Sequence, residues 1–443
     1  MRHSSAEDIV EFLSFSSDSC GRVDELKKLR PREWERVLRW LDDAGLAFYF
    51  LEKLKNKNAT DTVPPWVMSR LDRDFVGNQQ RVDYMSRRFA FLNQEFNEAG
   101  VRYVVLKGLS LVPQFCPDAL LRYQGDFDYL VDEPSLLAAQ RVLVEAGYSP
   151  KVSPSSEEFI FLMPGMGKQS RVTEYSARAP HAVELHLDIW DREMFRVSSI
   201  PRLFSVEHAQ TQLWNGFAFP ALTDEDAFLL QVLHACCHCF SYWIRMSCLF
   251  EIAYFLNRRS SDSSLWSRVG QRVKDNLVLR DFVVIVAELA AKLFAPPLPP
   301  LVRDWGARVR PATRVWIDRY ARHWAFCEPP VQEFSIFPEA KLVRFLHQQY
   351  KDGASPGKFM VRDLVLPSSR ISRIASSLKD NPSLVLDAAW WKRQLVISRS
   401  LFYVLGWLRY LCEIPRWRWR NRAYVQTTST SWTGDSLPAK KAS

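Results

Sequence analysis

Cysteine is scarce in this chain, and its distribution excludes a disulfide framework. Only eight cysteines occur among 443 residues, and three of them are crowded into the segment HACCHC. Disulfide-stabilised secreted domains instead carry many cysteines in a short chain. The first twenty residues also lack the long apolar run and the small-residue cleavage site of a signal peptide. We therefore expect a protein of the reducing cytoplasm.

A continuous membrane-spanning run and an internal repeat are missing as well. Residues 395–414 are about as long as a membrane is thick, but two arginines and a glutamate interrupt them. Leucines recur in this segment at helical spacing, which favours an amphipathic helix that faces the protein core or a partner. The composition, with 47% hydrophobic and 25% charged residues, is that of a globular protein with enough chain for two or three domains.

The charge balance is only mildly basic, which favours anionic partners without selecting one. Lys and Arg number 59 against 50 Asp and Glu, so the formal net charge is +9. Residues 391–426 hold many cations against Glu413 alone, and PRWRWRNR alternates Arg with Trp. This segment could contact a polyanion or a membrane surface. The alternative is a helix end with solvated arginines and tryptophans packed on the protein.

Residue periodicity divides the chain into helical and α/β regions. Residues 1–99 have helical spacing, residues 100–215 alternate short strands with helices, and residues 216–426 return to helical spacing. Residues 427–443 have the composition of a disordered tail. The predicted fold class is therefore α+β, with a small α/β domain between helical N- and C-terminal regions.

The α/β region has a strand-rich order that can be read from its segments. VRYVVLKG predicts a strand that ends in a turn, LSLVPQF a short helix, YQGDFDYLV a second strand and EPSLLAAQRVLVEAGY a helix. Further strands are predicted at EEFIFLMP, RVTEYSA and HAVELHLDIW. Alternation of this kind is typical of an α/β domain.

Two of these strands carry carboxylates on one side. Side chains alternate along a strand, so Asp126 and Asp128 share a face, as do Glu184, His186 and Asp188. If the two strands are neighbours, Asp126 and Asp128 converge with Glu184 or Asp188. Three carboxylates at one point cannot all stay ionised without a cation. Oxygen ligands of this kind suit Mg²⁺.

The turn after the first strand has features of a phosphate site. Gly108 lets the backbone approach a phosphate, and the helix that follows offers N–H donors at its N-terminus. Lys107 adds a positive charge, and Arg122 adds a guanidinium fork ahead of the aspartate strand. Together with a carboxylate-held metal, these groups describe a triphosphate site for phosphoryl or nucleotidyl transfer.

These motifs, taken in order, closely resemble the uncharacterised nucleotidyltransferase family of the polymerase-β-like superfamily. The resemblance lies in LKG after a strand, then R..GDFDYLV, then ELHLDIW. It extends to residues 229–256, where members of the family commonly have spaced histidines followed by an arginine and an acidic residue. It covers roughly residues 30–260 and implies a polymerase-β-like nucleotidyltransferase domain.

The resemblance implies a role for each matching residue. Asp126 and Asp128 would bind the metal, and Glu184 would be the third carboxylate, which could help to activate an acceptor hydroxyl. The residues implied in nucleotide or phosphate binding are Lys107, Gly108, Ser110, Arg122 and Gly125. The residues that could line the cleft are His186, Asp188, His234, His238 and Arg245.

The implied activity is Mg²⁺- or Mn²⁺-dependent transfer of a nucleoside monophosphate from an NTP, with release of pyrophosphate. The acceptor could be a protein, a sugar, a metabolite or RNA. The superfamily turn is usually Gly-Ser, whereas this chain has Lys-Gly followed by Leu-Ser. The alternative is therefore a catalytically degenerate member that acts as a nucleotide-, polyanion- or partner-binding module.

The segment HACCHC is a weak candidate for a zinc site. His234 and His238 are four residues apart on a predicted helix, with Cys237 and Cys239 close by. Structural zinc sites usually gather ligands from two separate segments, and the sequence has no second Cys/His cluster. Helix packing is the simpler interpretation, and His234 and His238 lining the cleft with Arg245 is the other.

Overall fold

A computed structural model describes most of the chain as two compact units. The first comprises residues 1–239 and 244–309, and the second comprises residues 240–243 and 310–443. The residues described are 5–16, 23–151, 153, 155, 157–163, 175–177, 179–241, 244–326, 341–353 and 404–425. Among the helices of these residues, none is both long enough and apolar enough to cross a bilayer.

Helices account for most of the described chain. Those formed largely by the first unit are α1 (Ser5–Leu13), α2 (Val23–Lys27), α3 (Pro31–Ala44), α4 (Ala47–Asn56), α5 (Pro65–Glu98), α6 (Glu133–Glu145), α7 (Arg192–Phe195), α8 (Asp224–Phe240), α9 (Met246–Arg259), α10 (Ser263–Val273), α11 (Leu277–Phe294) and α12 (Pro300–Gly306). Those of the second unit are α13 (Pro311–Arg319), α14 (Ala321–Ala325), α15 (Val343–His347) and α16, which spans 404–425.

The first unit contains a seven-stranded mixed sheet. Its strands are β1 (Tyr103–Val105), β2 (Asp126–Val131), β3 (Ser149–Lys151), β4 (Glu158–Met163), β5 (His181–His186), β6 (Gln210–Trp214) and β7 (Phe217–Ala221). Their order across the sheet is β3-β4-β5-β2-β1-β7-β6. The pairs β2–β5 and β1–β7 are parallel, and the other pairs are antiparallel. This mixed sheet with its helices confirms the α+β fold class.

One face of the sheet forms a large apolar core with α5. Phe89 of α5 lies 5.9 Å from the ring of Phe127 and 5.0 Å from that of Phe219, measured between centroids. Tyr129 and Leu185 are also buried on this face. Because side chains alternate, the residues between them point to the opposite face.

The opposite face of the sheet packs against α8 and carries the carboxylates. Leu106 and Leu130 of this face form a smaller core with Leu222 and with Leu230 of α8. Because Leu230 of α8 is in the same cluster as Leu130, which shares a face of β2 with Asp126 and Asp128, α8 lies on the acidic face of this strand. The helix thereby becomes a second wall above the acidic surface of the sheet.

Two details of the predicted strands differ from the structure. The segment HAVELHLDIW is a strand only to His186, because the chain then turns where Asp188 accepts hydrogen bonds from following backbone N–H groups. In RVTEYSA, residues 175–177 form a turn, while residues 171–174 lie outside the described residues. The predicted tail at 427–443 also lies outside them.

Candidate active site

The register between β2 and β5 brings the acidic residues of the two strands together. Asp128 pairs with Glu184, and Leu130 pairs with His186, in a parallel ladder. Paired residues of neighbouring strands point to the same face, and Asp126 shares that face because it is two residues from Asp128. The two strands are therefore neighbours, as convergence of these carboxylates requires.

Asp128 is at the centre of the contacts on this face. Its Oδ1 lies 2.7 Å from Nζ of Lys107 and 3.3 Å from Nε2 of His186, while only 1% of its side chain is exposed. The same His186 nitrogen lies 3.7 Å from Oε2 of Glu184. One ligand atom from each of Asp128, Glu184 and His186 falls within 4.8 Å of the others. These residues could together hold a metal ion.

Burial and mutual repulsion make the carboxylates ionise unequally. Burial would raise the pKa of Asp128, but Lys107 and His186 outweigh it and hold that pKa far below its usual range. Burial and the charge of Asp128 raise the pKa of Asp126. The same two causes raise the pKa of Glu184 to about 9. Without a further cation, Glu184 therefore keeps its proton at neutral pH.

This donor set fits a divalent cation such as Mg²⁺. The carboxylates of Asp126, Asp128 and Glu184 are hard oxygen ligands on one face of the sheet. Burial and the charge of Asp128 raise the pKa values of Asp126 and Glu184, so a bound cation would favour the ionised form of both. Asp128 and Glu184, whose ligand atoms converge with that of His186, would hold such an ion, whereas Asp126 shares their face but lies outside this converging group.

Lys107 lies at the turn predicted to bind phosphate. It precedes Gly108, whose φ is +72° and whose missing side chain leaves room for the amide of Gln124. A Cβ at position 108 would lie 2.7 Å from Nε2 of that amide. Ser110 donates its hydroxyl hydrogen to the carbonyl of Lys107 at 3.3 Å. Burial would lower the pKa of Lys107, but Asp128, Glu184 and Asp126 raise it, so the ammonium keeps its charge.

Arg122 forms a buried ion pair rather than pointing freely at the acidic face. Its Nε donates to Oε1 of Glu251 at 2.9 Å, and 2% of the Glu251 side chain is exposed. Tyr49 donates to the same carboxylate oxygen at 3.3 Å. The Nη1 of Arg122 donates to the amide oxygen of Gln124 at 3.3 Å, and Gln124 in turn donates to the carbonyl of Asp126. This network ties α4 and α9 to the start of β2, next to Gly125.

The histidines of α8 face Lys107. Nε2 of His234 lies 3.4 Å from Nζ of Lys107 and 3.1 Å from Nε2 of His238. Burial and the charge of Lys107 lower the pKa of His234 well below its usual range, and burial, Lys107 and Arg245 lower that of His238 to about 4. Both imidazoles are therefore neutral at pH 7 and can accept or donate hydrogen bonds inside the cleft.

The cysteines of HACCHC are arranged differently from the sequence pattern. The residues here whose ligand atoms are close enough to hold a metal ion are His234 and His238 of α8 and Cys248 of α9. Cys237 and Cys239 are not part of this group. Burial raises the pKa of Cys248 to about 11, so its thiol is protonated. Sequence reasoning missed Cys248 because it lies ten residues beyond His238 on the next helix. The described cysteines are free thiols.

Asp188 lies apart from the convergent carboxylates. Its Oδ1 accepts a hydrogen bond from the N–H of Ile189 at 2.7 Å, and its Oδ2 pairs with Arg192 at 2.7 Å. Of the two candidates for the third carboxylate, Glu184 is the one in register with Asp128. Asp188 stabilises the turn after β5.

Arg81 is a residue of this region that the sequence reasoning missed. It is fully buried on α5 and donates to the carbonyls of Gln124, Ser176, Ala179 and Pro180 at 2.6 to 3.2 Å. It thus holds the segments that lead into β2 and β5. The sequence did contain a signal for this residue, because Arg81 is a charged residue within the apolar stripe of the long helix α5.

Comparison with known proteins gives one match. A family model described as an uncharacterised nucleotidyltransferase matches residues 30–295. No curated protein and no solved structure matches the chain. The matched range contains the whole sheet, the two histidines of α8 and the Arg122–Glu251 pair.

Proposed function

Since the chain belongs to the uncharacterised nucleotidyltransferase family, as its motifs predicted, we propose that it transfers a nucleoside monophosphate from an NTP to an acceptor. An acceptor oxygen attacks the α-phosphorus, the bond from that phosphorus to the bridging oxygen of the β-phosphate breaks, and pyrophosphate leaves. The acceptor is a hydroxyl or a phosphate of a protein, sugar, metabolite or RNA.

The observation that carries this proposal is the register of the two acidic strands. Asp128 and Glu184 are paired residues of a parallel ladder, and Asp126 shares their face. A set of three carboxylates beside a buried lysine supports a role in handling a polyanionic substrate with a divalent cation. A bound Mg²⁺ would neutralise charge on the phosphates and orient them.

Other residues of the site have roles that follow from their chemistry. Lys107 keeps its charge, but its ammonium pairs with Asp128 at 2.7 Å, so we propose that it contacts a phosphate oxygen once a divalent cation takes its place on that carboxylate. The neutral imidazoles of His234 and His238 are suited to hydrogen-bond the nucleotide. We propose that Glu184 accepts the proton of an acceptor hydroxyl once cation binding has ionised it.

The experiment follows binding and label transfer with each of the four α-labelled NTPs in the presence of Mg²⁺. We expect nucleotide binding, labelled product and pyrophosphate with one or more NTPs. All three should be lost or strongly reduced in the Asp126→Asn/Asp128→Asn variant and after removal of divalent cations. The matched control is Asp83→Asn, an exposed position on α5 that pairs with Arg87.

A binding module without turnover is the second candidate, and the Lys107–Asp128 contact favours it. The ammonium lies 2.7 Å from the carboxylate that would hold the metal, and the turn is Lys-Gly instead of Gly-Ser. NTP binding without label transfer to any acceptor in a cell extract would support this candidate. Absence of NTP binding in the wild type would contradict both candidates.

A further inference from the structure

The cations around the acidic face of the sheet differ in how their charges are compensated. Lys107 contacts Asp128 at 2.7 Å, and Arg122 contacts Glu251 at 2.9 Å. Arg81 is held by backbone carbonyls. Each of these side chains therefore already has a carboxylate or carbonyl acceptor within the protein. A phosphate would have to compete with a buried carboxylate to bind either Lys107 or Arg122.

Arg245 is different. It directly precedes α9, and within the described part of the chain its guanidinium makes no hydrogen bond or ion pair. Its Nε is buried without a hydrogen-bond partner. The guanidinium carbon lies 5.5 Å from the centre of the Tyr123 ring, which is a cation–π distance. The guanidinium therefore packs near an aromatic ring while its hydrogen-bond donors remain unused in the described residues.

The absence of a side chain at Gly45 leaves room for the guanidinium of Arg245. Gly45 ends α3 with a φ of +68°, and a Cβ built there would lie 2.8 Å from Nε of Arg245. That Cβ would also lie 2.8 Å from Oγ of Ser247, so a larger residue at position 45 would force Arg245 or Ser247 to move. The arginine is thus packed between the end of α3 and Tyr123, which reduces the entropy cost of binding an anion.

Arg245 is also close enough to Asp126 and His238 for its charge to act on them. Its charge opposes the burial-driven rise in the pKa of Asp126 and contributes to the low pKa of His238. Tyr123, whose ring lies beside Arg245, comes shortly before Asp126 in the chain. It therefore belongs to the segment that leads into β2. The uncompensated guanidinium therefore borders the proposed nucleotide site.

We propose that Arg245 binds the triphosphate of the NTP, and that Arg122 is a positioning residue that holds the start of β2 through Glu251 and Gln124. This inference rests on the proposed function and assigns the phosphate contact to a different arginine from the one that the sequence motif implied. A guanidinium presents paired N–H donors that match two phosphate oxygens, which a lysine cannot reproduce.

The test compares the binding of a triphosphate with that of the matching monophosphate. The probes are the α,β-methylene analogue of the NTP that binds most tightly and the nucleoside monophosphate with the same base, at fixed free Mg²⁺. Dissociation constants are measured by calorimetry for the wild type, Arg245→Met and Arg122→Met. The control is Arg258→Met, an exposed residue near the end of α9.

Arg245→Met should weaken triphosphate binding by about 10-fold or more and monophosphate binding by less than about threefold, as expected for the loss of charge-assisted hydrogen bonds. Arg122→Met should lower the melting temperature and weaken both ligands by a similar factor. Arg245→Lys should give an intermediate loss, and it decides the question if the methionine variant does not fold.

The binding data distinguish failure of the Arg245 assignment from failure of the proposed function. An unchanged ratio of triphosphate to monophosphate affinity in both Arg245 variants would overturn the assignment to Arg245 and leave the nucleotidyltransferase proposal intact. A wild-type protein that binds no NTP would overturn the proposed function itself.

Discussion

Glu184 is a carboxyl whose ionisation is opposed by the folded protein. It lies beside Asp128 on the next strand, and its pKa is raised from 4.5 to about 9 by burial and by that neighbouring charge. Lys107 lowers the pKa of Glu184 but does not cancel the effect. The folded state thus binds the Glu184 proton more tightly than the unfolded chain does.

This difference predicts how stability depends on pH when divalent cations are absent. Because the folded pKa is raised, the stabilisation is fully present below about pH 4.5 and is lost as the pH rises through about 9. Glu184→Gln cannot ionise, so its melting temperature in EDTA should fall less than that of the wild type between pH 5.5 and 9.5. Thermal unfolding across this range measures the difference.

The control for the pH experiment is Glu35→Gln, an exposed position on α3. Its melting curve should follow the wild type at every pH. The raised pKa of Asp126 acts in the same direction, so a smaller pH dependence should persist in Glu184→Gln. Parallel pH profiles of wild type and Glu184→Gln would contradict the electrostatic account.

At the level of single residues, the sequence reveals local alternation but not distant partners. Asp126, Asp128 and Glu184 could be grouped because each lies on a strand whose alternation is visible, and their roles stay predictions. The partner of Arg122 could not be found, because Glu251 is 129 residues further along the chain. Periodicity carries no information about which distant side chains meet, so the buried ion pair appears only in three dimensions.

Helix α5 positions both acidic strands through one buried side chain. Arg81 has no exposed surface, and its donors are used by carbonyls that precede β2 and β5. These carbonyls lie just before the strands whose register aligns Asp128 with Glu184. The geometry of the site therefore depends on a residue that acts through the backbone carbonyls ahead of the two strands.

We predict that Arg81→Met lowers the free energy of unfolding by about 3 kcal/mol, because several buried carbonyls lose their donors. Urea denaturation monitored by circular dichroism provides the measurement. Arg87→Met is the matched control on the same helix. Since Arg87 is 69% exposed and pairs only at the surface, its loss should cost less than about 1 kcal/mol. Equal effects of the two substitutions would contradict the role of Arg81.

At the level of elements, the strands that carry the site were easier to predict than the sheet around them. Strands β1, β2, β4 and β5 fall within segments that the residue pattern indicated. The hairpin of β6 and β7 was missed, although Asn215-Gly216 between them is a strong turn signal with positive φ at both residues. The parallel pairing of β7 with β1 could not be predicted, because it joins segments more than 100 residues apart.

At the scale of the whole chain, the basic C-terminal segment is partly neutralised inside the second unit. Glu413 accepts hydrogen bonds from Arg409 at 2.7 Å, Arg416 at 3.3 Å, Arg420 at 3.1 Å and Tyr320 at 3.0 Å. Only 3% of its side chain is exposed. The acidic residue that looked isolated among cations in the sequence is thus the centre of a polar network that three arginines of the segment share.

We predict that Glu413→Ala loosens the second unit, because the loss leaves three guanidiniums and a tyrosine hydroxyl without their shared acceptor. Amide hydrogen exchange should become faster in α13 and in residues 404–425, while β2 and β5 keep their protection. The contacts of Glu413 support this confinement, since all four partners lie within residues 310–443. Asp318→Ala, on the half-exposed surface of α13, is the control and should change exchange little. Faster exchange in β2 and β5 would instead show that the network stabilises the whole chain, and unchanged exchange in residues 404–425 would show that it stabilises neither unit.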